Sequence, residues 1–187
     1  MFKLLIILIF GFIFEAVASE NIIFIRHAEK PSDGLGQLSC KGLNRSLALP
    51  SVIISRFGIP DTLYAPNPTV QKADHGVKFN YIRPMATIEP LAIKTSKNID
   101  LTCGFNDIDC ISKLLVSPEN SNRTILVAWE HHLIKQIISK ISASKNLYIP
   151  EWDNNDFDSI YVLRIEGNEM KLEFQSQGLN GQQEECR

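Results

Sequence analysis

Apolar and polar residues fall into blocks along this chain, and the blocks predict strands that alternate with helices. The continuous apolar run in NIIFIR is typical of a strand buried on both faces, as in parallel sheets. DTLYAPNP predicts a second, short strand, and RTILVAW predicts a third, buried one. Strands that alternate with helices indicate an α/β sheet that is mostly parallel.

The segments between these strands carry helical periodicity. LSCKGLNRSLALPSVIISRFG predicts a helix with Ser39 as its N-cap, a kink or break at Pro50 and an end at Gly58. PMATIEPLAIKT, NDIDCISKLLVS and LIKQIISKIS predict three more helices, whereas QKADHGVKFN is polar and predicts an exposed loop. Two strand-like runs flank Glu166-Gly167-Asn168, which predicts a terminal hairpin. We therefore expect a three-layer α/β/α fold with a mostly parallel sheet and a C-terminal β-hairpin.

The first eighteen residues have the pattern of a secretory signal. Lys3 precedes an apolar run from Leu4 to Phe14, and Ala16-Val17-Ala18 resembles a cleavage site. The run is shorter than the roughly 20 residues that a membrane helix needs. We expect residues 1–18 to be a cleaved signal peptide and residues 19–187 to be a single domain, exported to the periplasm or secreted, without a stable membrane anchor. An uncleaved anchor is the alternative.

Charge and cysteine content narrow the functional classes. The net charge is −2 and no basic run occurs, so the sequence offers no electrostatic basis for binding nucleic acid. No pair of cysteines has the C-x-x-C spacing of a zinc site. Export would permit disulfides. We favour Cys103–Cys110, which closes a short loop, and Cys40–Cys186, which would pin the C-terminal tail; four reduced cysteines are the alternative.

Histidines follow two of the predicted strands. Arg26-His27 ends the first strand, and Glu130-His131-His132 follows RTILVAW. Strand ends of an open α/β sheet face one edge, where such sheets place their chemistry. A neutral imidazole is a competent nucleophile near pH 7, and the planar fork of arginine binds phosphate bidentately. Taken alone, however, Arg26-His27 is also compatible with a surface ion pair.

Four segments, in the expected order, resemble motifs of the histidine phosphatase superfamily, the phosphoglycerate-mutase-like proteins. RHAEKP is similar to the arginine-histidine-glycine/alanine-glutamate signature, and LSCKGLNRSLAL to the helix that follows it. RPMATIEPLA is similar to the second arginine motif, and LVAWEHH to the late strand that ends in the second histidine. With the predicted export, the resemblance points to an exported, bacterial-type branch.

The resemblance implies a phosphoglycerate-mutase-like fold and a phosphomonoesterase that acts on a small phosphorylated substrate. It assigns the nucleophile, which becomes phosphohistidine, to His27. It assigns phosphate clamps to Arg26 and Arg83, and a phosphate or transition-state ligand to His131. Because the positive charge is built into the chain, we expect no cofactor and no metal.

The acid that protonates the leaving group is less well defined. In the superfamily it follows the helix of the second arginine motif, where this chain has LTCGFNDIDC. Asp107 is therefore our first choice, with Asp109 and Glu130 behind it. Asp107 is equally suited to cap the helix that follows.

The second histidine departs from the superfamily pattern, in which it usually follows a small residue and precedes a glycine. Here Glu130 precedes His131, and His132 takes the glycine position. We expect His131 to be the phosphate ligand, with His132 and Glu130 directed to the substrate or orienting an imidazole. Lys30, in the first motif, is a further candidate for substrate contact.

Three other functions stay open. One is a non-catalytic binding module on the same fold, against which the presence of both arginine motifs and both histidine motifs argues. A phosphomutase would use the same residues and return the phosphoryl group to a second position of its substrate. A metal-binding protein could use His27, His131 and His132 as ligands, although Arg26 would repel a divalent cation. The segment 67–81 precedes the second arginine motif and is a candidate specificity lip.

Overall fold

The computed structural model describes residues 19–186. The predicted signal peptide at residues 1–18 lies outside this part of the chain. Within residues 19–186, no helix is long and apolar enough to cross a membrane.

Eight strands and four α-helices make up the described chain, together with a short 3₁₀ turn at Pro118–Asn120. The strands are β1 (Ser19–Arg26), β2 (Thr62–Tyr64), β3 (Gln71–Asp74), β4 (Val77–Asn80), β5 (Ile99–Asp100), β6 (Thr124–Trp129), β7 (Ser159–Glu166) and β8 (Glu169–Ser176). The helices are α1 (Cys40–Phe57), α2 (Arg83–Thr95), α3 (Ile108–Leu115) and α4 (His131–Ile141).

Six strands form the central sheet in the order β5-β2-β6-β1-β7-β8. The neighbours β5-β2, β2-β6 and β6-β1 are parallel, whereas β7 is antiparallel to both β1 and β8. The predicted α/β class, with a mostly parallel sheet and a C-terminal hairpin, is confirmed.

The sheet separates two apolar cores, which gives the predicted three layers. Successive residues of a strand point to opposite faces. Ile22 and Phe24 therefore pack with α3 and α4, whereas Ile23 and Ile25 pack with α1 and α2. Because β1 is buried on both faces, its sequence is continuously apolar rather than alternating.

The ends predicted for α1 are confirmed, but the break is not. The Ser39 side chain accepts a hydrogen bond from the Gly42 N–H, and Gly58 follows the last helical residue. Pro50 lies inside the helix, which continues to Phe57. A proline removes one backbone hydrogen bond, and the burial of Leu49 and Ile53 on either side of it shows that packing holds this part of the helix.

The prediction of a loop at QKADHGVKFN is wrong. These residues form a two-stranded hairpin, β3–β4, joined by a turn at His75 and Gly76. Both turn residues have positive φ, 48° and 82°, the conformation that two-residue hairpin turns require. Most of the hairpin is solvent-exposed, but the Asp74 side chain is buried.

Both predicted disulfides are present. Cys40–Cys186 ties the C-terminal tail to the start of α1, and Cys103–Cys110 closes the loop between β5 and α3. No cysteine among the described residues is free.

Candidate active site

His27 and the Glu130–His132 segment lie at the same edge of the sheet, as the sequence predicts. In the neighbouring parallel strands β1 and β6, Arg26 pairs with Trp129. The His27 N–H donates to the Trp129 carbonyl at 3.0 Å. The residues that follow the two strands therefore leave the sheet side by side.

The His27 imidazole is buried and oriented by its own loop. Its Nδ1 lies 2.8 Å from the Ala28 carbonyl oxygen. A carbonyl only accepts hydrogen bonds, so Nδ1 carries the proton and Nε2 keeps its lone pair. Burial, followed by the charges of Arg83 and Arg26, holds the pKa of His27 well below its usual value. The ring is therefore neutral near pH 7, as a nucleophile must be.

Arg26 is buried beside the nucleophile. Its Nη1 donates to the carbonyls of Asn154 and Asp156 at 2.7 and 3.0 Å, and its guanidinium lies 3.8 Å from the centre of the Phe157 ring. Burial lowers the pKa of Arg26 to about 10, although the charge of Glu130 acts in the opposite direction. Its Nε is buried and has no hydrogen-bond partner among the described residues.

Arg83, the first residue of α2, reaches the same site. Its Nη1 donates to the Gly34 carbonyl at 3.2 Å and pairs with the Asp74 carboxylate, while its buried Nε has no partner among the described residues. Asp74 also accepts from Lys30 at 2.9 Å. Burial alone would raise the pKa of Asp74, but hydrogen bonds from Arg83 and Lys30 lower it to about 2.

Of the two adjacent histidines at the start of α4, His131 is buried and His132 is exposed. The two rings lie 3.9 Å apart, centre to centre. His131 Nε2 lies 2.8 Å from Asn154 Oδ1. Its Nδ1 is 3.0 Å from Glu130 Oε1, but the pair is not aligned as a hydrogen bond. Burial therefore favours His131 over His132 as the residue that faces the pocket.

Glu130 caps α4 and adds a negative charge to this edge of the site. Its carboxylate accepts a hydrogen bond from the Leu133 N–H at 3.0 Å. Burial acts to raise the pKa of Glu130, but the His131 imidazole and the charge of Lys72 outweigh it and lower the pKa to about 2. Glu130 is therefore ionised across the physiological pH range.

Helix α1 fixes the loop that follows His27. The Glu29 carbonyl accepts hydrogen bonds from the Ser39 N–H at 2.9 Å and from its hydroxyl at 3.3 Å. Arg45, which is 1% exposed, donates to both oxygens of the Glu29 carboxylate and to Asp158. A β-carbon at Gly42 would lie 2.2 Å from the Glu29 carbonyl oxygen, so only glycine allows this approach.

Thr87 joins the two arginine motifs. Its hydroxyl accepts from the Ala28 N–H at 2.9 Å and donates to the Arg83 carbonyl at 2.8 Å. The loop that carries His27 and the first turn of α2 are therefore held in a fixed relation.

This architecture matches solved structures of phosphatases. Phosphoserine phosphatase from Entamoeba histolytica, solved as a complex with phosphoserine, aligns with 86% of this chain and 98% of its own, at a TM-score of 0.56 and 14% identity. The chain has the histidine phosphatase fold. A putative phosphohistidine phosphatase from Nakamurella multipartitia aligns with 84% of this chain and 95% of its own, at a TM-score of 0.54 and 14% identity.

A mycobacterial glucosyl-3-phosphoglycerate phosphatase also shares the histidine phosphatase fold. It aligns with 84% of this chain and 97% of its own, at a TM-score of 0.54 and 10% identity. Comparisons with protein-family models and with curated proteins found no match. At 10% to 14% identity the likeness concerns the fold alone.

Within the histidine phosphatase fold, most of the predicted site residues come together. The charges of Arg26 and Arg83 act on His27, and His131 follows the end of the adjacent strand β6. The predicted residues gathered at this edge are Arg26, His27, Lys30, Arg83, Glu130 and His131.

The two aspartates proposed as acids are solvent-exposed. Asp107 accepts a hydrogen bond from the Cys110 N–H at 3.0 Å, so its predicted capping role is confirmed. Asp109 forms an ion pair with Lys140 on the neighbouring helix. The acid role of Asp107 stays a prediction, because its cap does not exclude proton transfer to a bound substrate.

Sequence reasoning did not single out five residues that shape the site: Lys72, Asp74, Tyr81, Asn154 and Phe157. The first three lie in the segment 67–81, which it named only as a candidate specificity lip. The first two lie in the β3–β4 hairpin. A histidine-glycine pair between two four-residue runs is a hairpin signal that could have identified this element. Asn154 and Phe157 lie in a loop far along the chain, and no local pattern marks them.

Proposed function

We propose that the chain is a phosphomonoesterase that forms a phosphohistidine intermediate at His27. The observation that carries this proposal is the tautomer imposed on His27: Nδ1 donates to the Ala28 carbonyl, which leaves the Nε2 lone pair free. Arg26 and Arg83 lie beside it, each with a buried Nε that has no partner among the described residues. A nucleophile flanked by such donors suits attack on phosphorus.

The reaction follows from these groups. His27 Nε2 attacks the phosphorus, and the bond between phosphorus and the ester oxygen breaks. That oxygen takes a proton from the acid, for which Asp107 is our first choice, and leaves as the alcohol. Water then attacks the phosphohistidine, the bond between nitrogen and phosphorus breaks, and phosphate leaves. Arg26, Arg83 and His131 stabilise charge on the non-bridging oxygens at both steps. The arginines supply this charge themselves, so the proposed reaction needs no metal.

A phosphate-release screen tests this function. Phosphorylated sugars, nucleotides, lipids and peptides would be assayed with the wild-type chain and with His27→Ala. His75→Asn is the matched control, because His75 is an exposed turn histidine at positive φ that asparagine tolerates. We expect His75→Asn to match the wild type and His27→Ala to release no phosphate. Undiminished release by His27→Ala, or none by the wild type on any substrate, would contradict the proposal.

The screen also distinguishes a phosphomutase, the alternative that uses the same residues. A phosphatase releases one phosphate for each substrate molecule consumed. A mutase would instead convert the substrate into a positional isomer, with the phosphate total in solution unchanged. Product analysis by phosphorus NMR separates the two outcomes.

We also propose that the protein is exported. Two disulfides and the signal-like N-terminal sequence support this, because disulfides persist mainly in oxidising compartments. The intact mass of the mature protein tests it. We expect the mass of a chain that begins at Ser19. Recovery of Met1 or Lys3 in the processed protein would contradict cleavage of the signal peptide.

A second candidate function is metal binding. Among the described residues, Glu130, His131 and His132 bring their ligand atoms within 4.8 Å of one another, a set that includes Glu130 in place of the predicted His27. Two imidazoles and a carboxylate are ligands that zinc accepts. Metal analysis of the purified protein, with activity measured before and after chelation, tests this alternative. Stoichiometric metal together with activity lost to the chelator would favour it over the metal-free mechanism.

A further inference from the structure

We propose that Lys72 binds a second anionic group of the substrate, so that the site selects small phosphomonoesters that carry one. This inference rests on the proposed function and specifies its substrate class. The relevant second groups are a carboxylate or another phosphate, because a lysine ammonium recognises both as point charges.

Lys72 is placed at the site by aromatic contacts. It lies in β3 of the hairpin, and its ammonium is 5.4 Å from the centre of the Tyr81 ring and 5.1 Å from that of the Phe105 ring. The Tyr81 ring in turn meets the His27 ring edge-on at 5.9 Å. One aromatic ring therefore contacts both the nucleophile and the ammonium, which places the ammonium beside the site.

The ammonium is half-buried but not paired. Among the described residues, no carboxylate oxygen lies within 4.0 Å of Lys72 Nζ, the distance limit of an ion pair. This Nζ also forms no hydrogen bond with any of them. Lys30 and Arg83, by contrast, are both engaged by Asp74. Burial lowers the pKa of Lys72, whereas the charge of Glu130 acts to raise it. A partly desolvated cation without a paired carboxylate has unused capacity to bind an anion.

Two features make this cation selective. The contacts of its ammonium with the Tyr81 and Phe105 rings restrain the lysine side chain, so less side-chain freedom is lost when an anion binds. The scissile phosphate is already provided with Arg26 and Arg83. The positive charge of Lys72 is therefore not neutralised by the phosphate and is available to a second anion. An uncharged substituent would leave the ammonium partly desolvated and unpaired.

Binding to a chain that lacks the nucleophile tests the inference apart from turnover. Isothermal titration calorimetry on His27→Ala would compare 3-phosphoglycerate with racemic glycerol 1-phosphate, which replaces the carboxylate by a hydroxymethyl group. It would also compare fructose 1,6-bisphosphate with fructose 6-phosphate, which lacks the second phosphate. The same ligands would be titrated into His27→Ala/Lys72→Met, since methionine keeps an apolar side chain of similar length and removes the charge. Lys78→Met in the same background is the matched control, because Lys78 is an exposed lysine of the same hairpin.

We expect the ligand that carries the second anionic group to bind about tenfold more tightly or better in at least one pair, the effect of one charge-assisted hydrogen bond. That preference should fall to about twofold or less in the Lys72→Met background and persist in the Lys78→Met background. The pair that shows it identifies the second group as carboxylate or phosphate. No preference in either pair, no binding at all, or a preference that survives Lys72→Met would overturn the inference. Selective binding without phosphate release by the wild type would instead contradict the proposed function while leaving the anion site standing.

Discussion

Replacing Gly42 with alanine should displace the loop that carries His27. The added β-carbon would lie 2.2 Å from the Glu29 carbonyl oxygen, 2.9 Å from its nitrogen and 3.1 Å from its carbonyl carbon. These are backbone atoms, which cannot rotate away as a side chain can. Because ordinary contact begins at 3.4 Å, α1 and the loop must move apart by roughly 1 Å in a close-packed interior.

The contacts give a range for the change in unfolding free energy that Gly42→Ala causes. Alanine in place of glycine favours a helix by about 1 kcal/mol, which opposes the damage. Overpacking costs about 1–3 kcal/mol, and the two hydrogen bonds from Ser39 to the Glu29 carbonyl contribute about 1 kcal/mol each. With both hydrogen bonds lost, we therefore expect a net destabilisation of about 2–4 kcal/mol. In a domain of this size each kcal/mol lowers Tm by about 2–4 °C.

In Gly42→Ala, the loss of catalytic rate should be larger than the change in stability alone would cause. Glu29 is two residues from His27, and a displacement of about 1 Å in a catalytic group can cost about 100-fold in rate. Thermal unfolding by circular dichroism and kcat/KM for p-nitrophenyl phosphate measure the two effects. Gly181→Ala is the control, because a β-carbon there meets nothing within 4 Å. Wild-type Tm together with wild-type kcat/KM in Gly42→Ala would refute the reasoning.

Three further predictions follow from the site and its surroundings. His131→Ala should lower kcat by about 100-fold, as loss of one oriented donor does, while His132→Ala acts mainly on KM; the reverse order in steady-state kinetics would make His132 the pocket residue. Asp107→Asn should lose far more activity on alkyl phosphates than on p-nitrophenyl phosphate, and equal losses would remove Asp107 from the acid role. Burial raises the pKa of Glu20 to about 7, so wild-type stability should fall as pH rises from 4.5 to 7. In urea unfolding, Glu20→Gln should therefore be more stable than the wild type at pH 8 but not at pH 4.5. The same difference in unfolding free energy at both pH values would contradict the raised pKa of Glu20.

Much of this fold could be predicted from local sequence patterns. The uninterrupted apolar run of β1 predicted a strand buried on both faces, and the structure places it between β6 and β7. The Ser39 cap and the Gly58 end of α1 could be predicted because each satisfies backbone groups within a few residues. Such features depend on neighbours along the chain, so the sequence alone can show them.

The parts that could not be predicted depend on contacts between distant residues. Asn154 lies 23 residues from His131 and 128 from Arg26, yet it contacts both. Asp74 became part of the site only because the β3–β4 hairpin turns its carboxylate toward Arg83. A polar residue in a polar segment gives no sign of which distant cation it will meet.

The central claim is that His27 becomes phosphorylated during turnover. The direct measurement is to mix the enzyme with a substrate carrying radiolabelled phosphate, stop the reaction in alkali and map the labelled peptide by mass spectrometry. We expect the label on His27, stable in base and lost in acid, and we expect neither label nor turnover in His27→Ala. Normal turnover by His27→Ala, or turnover by the wild type with the label on another residue, would contradict the account.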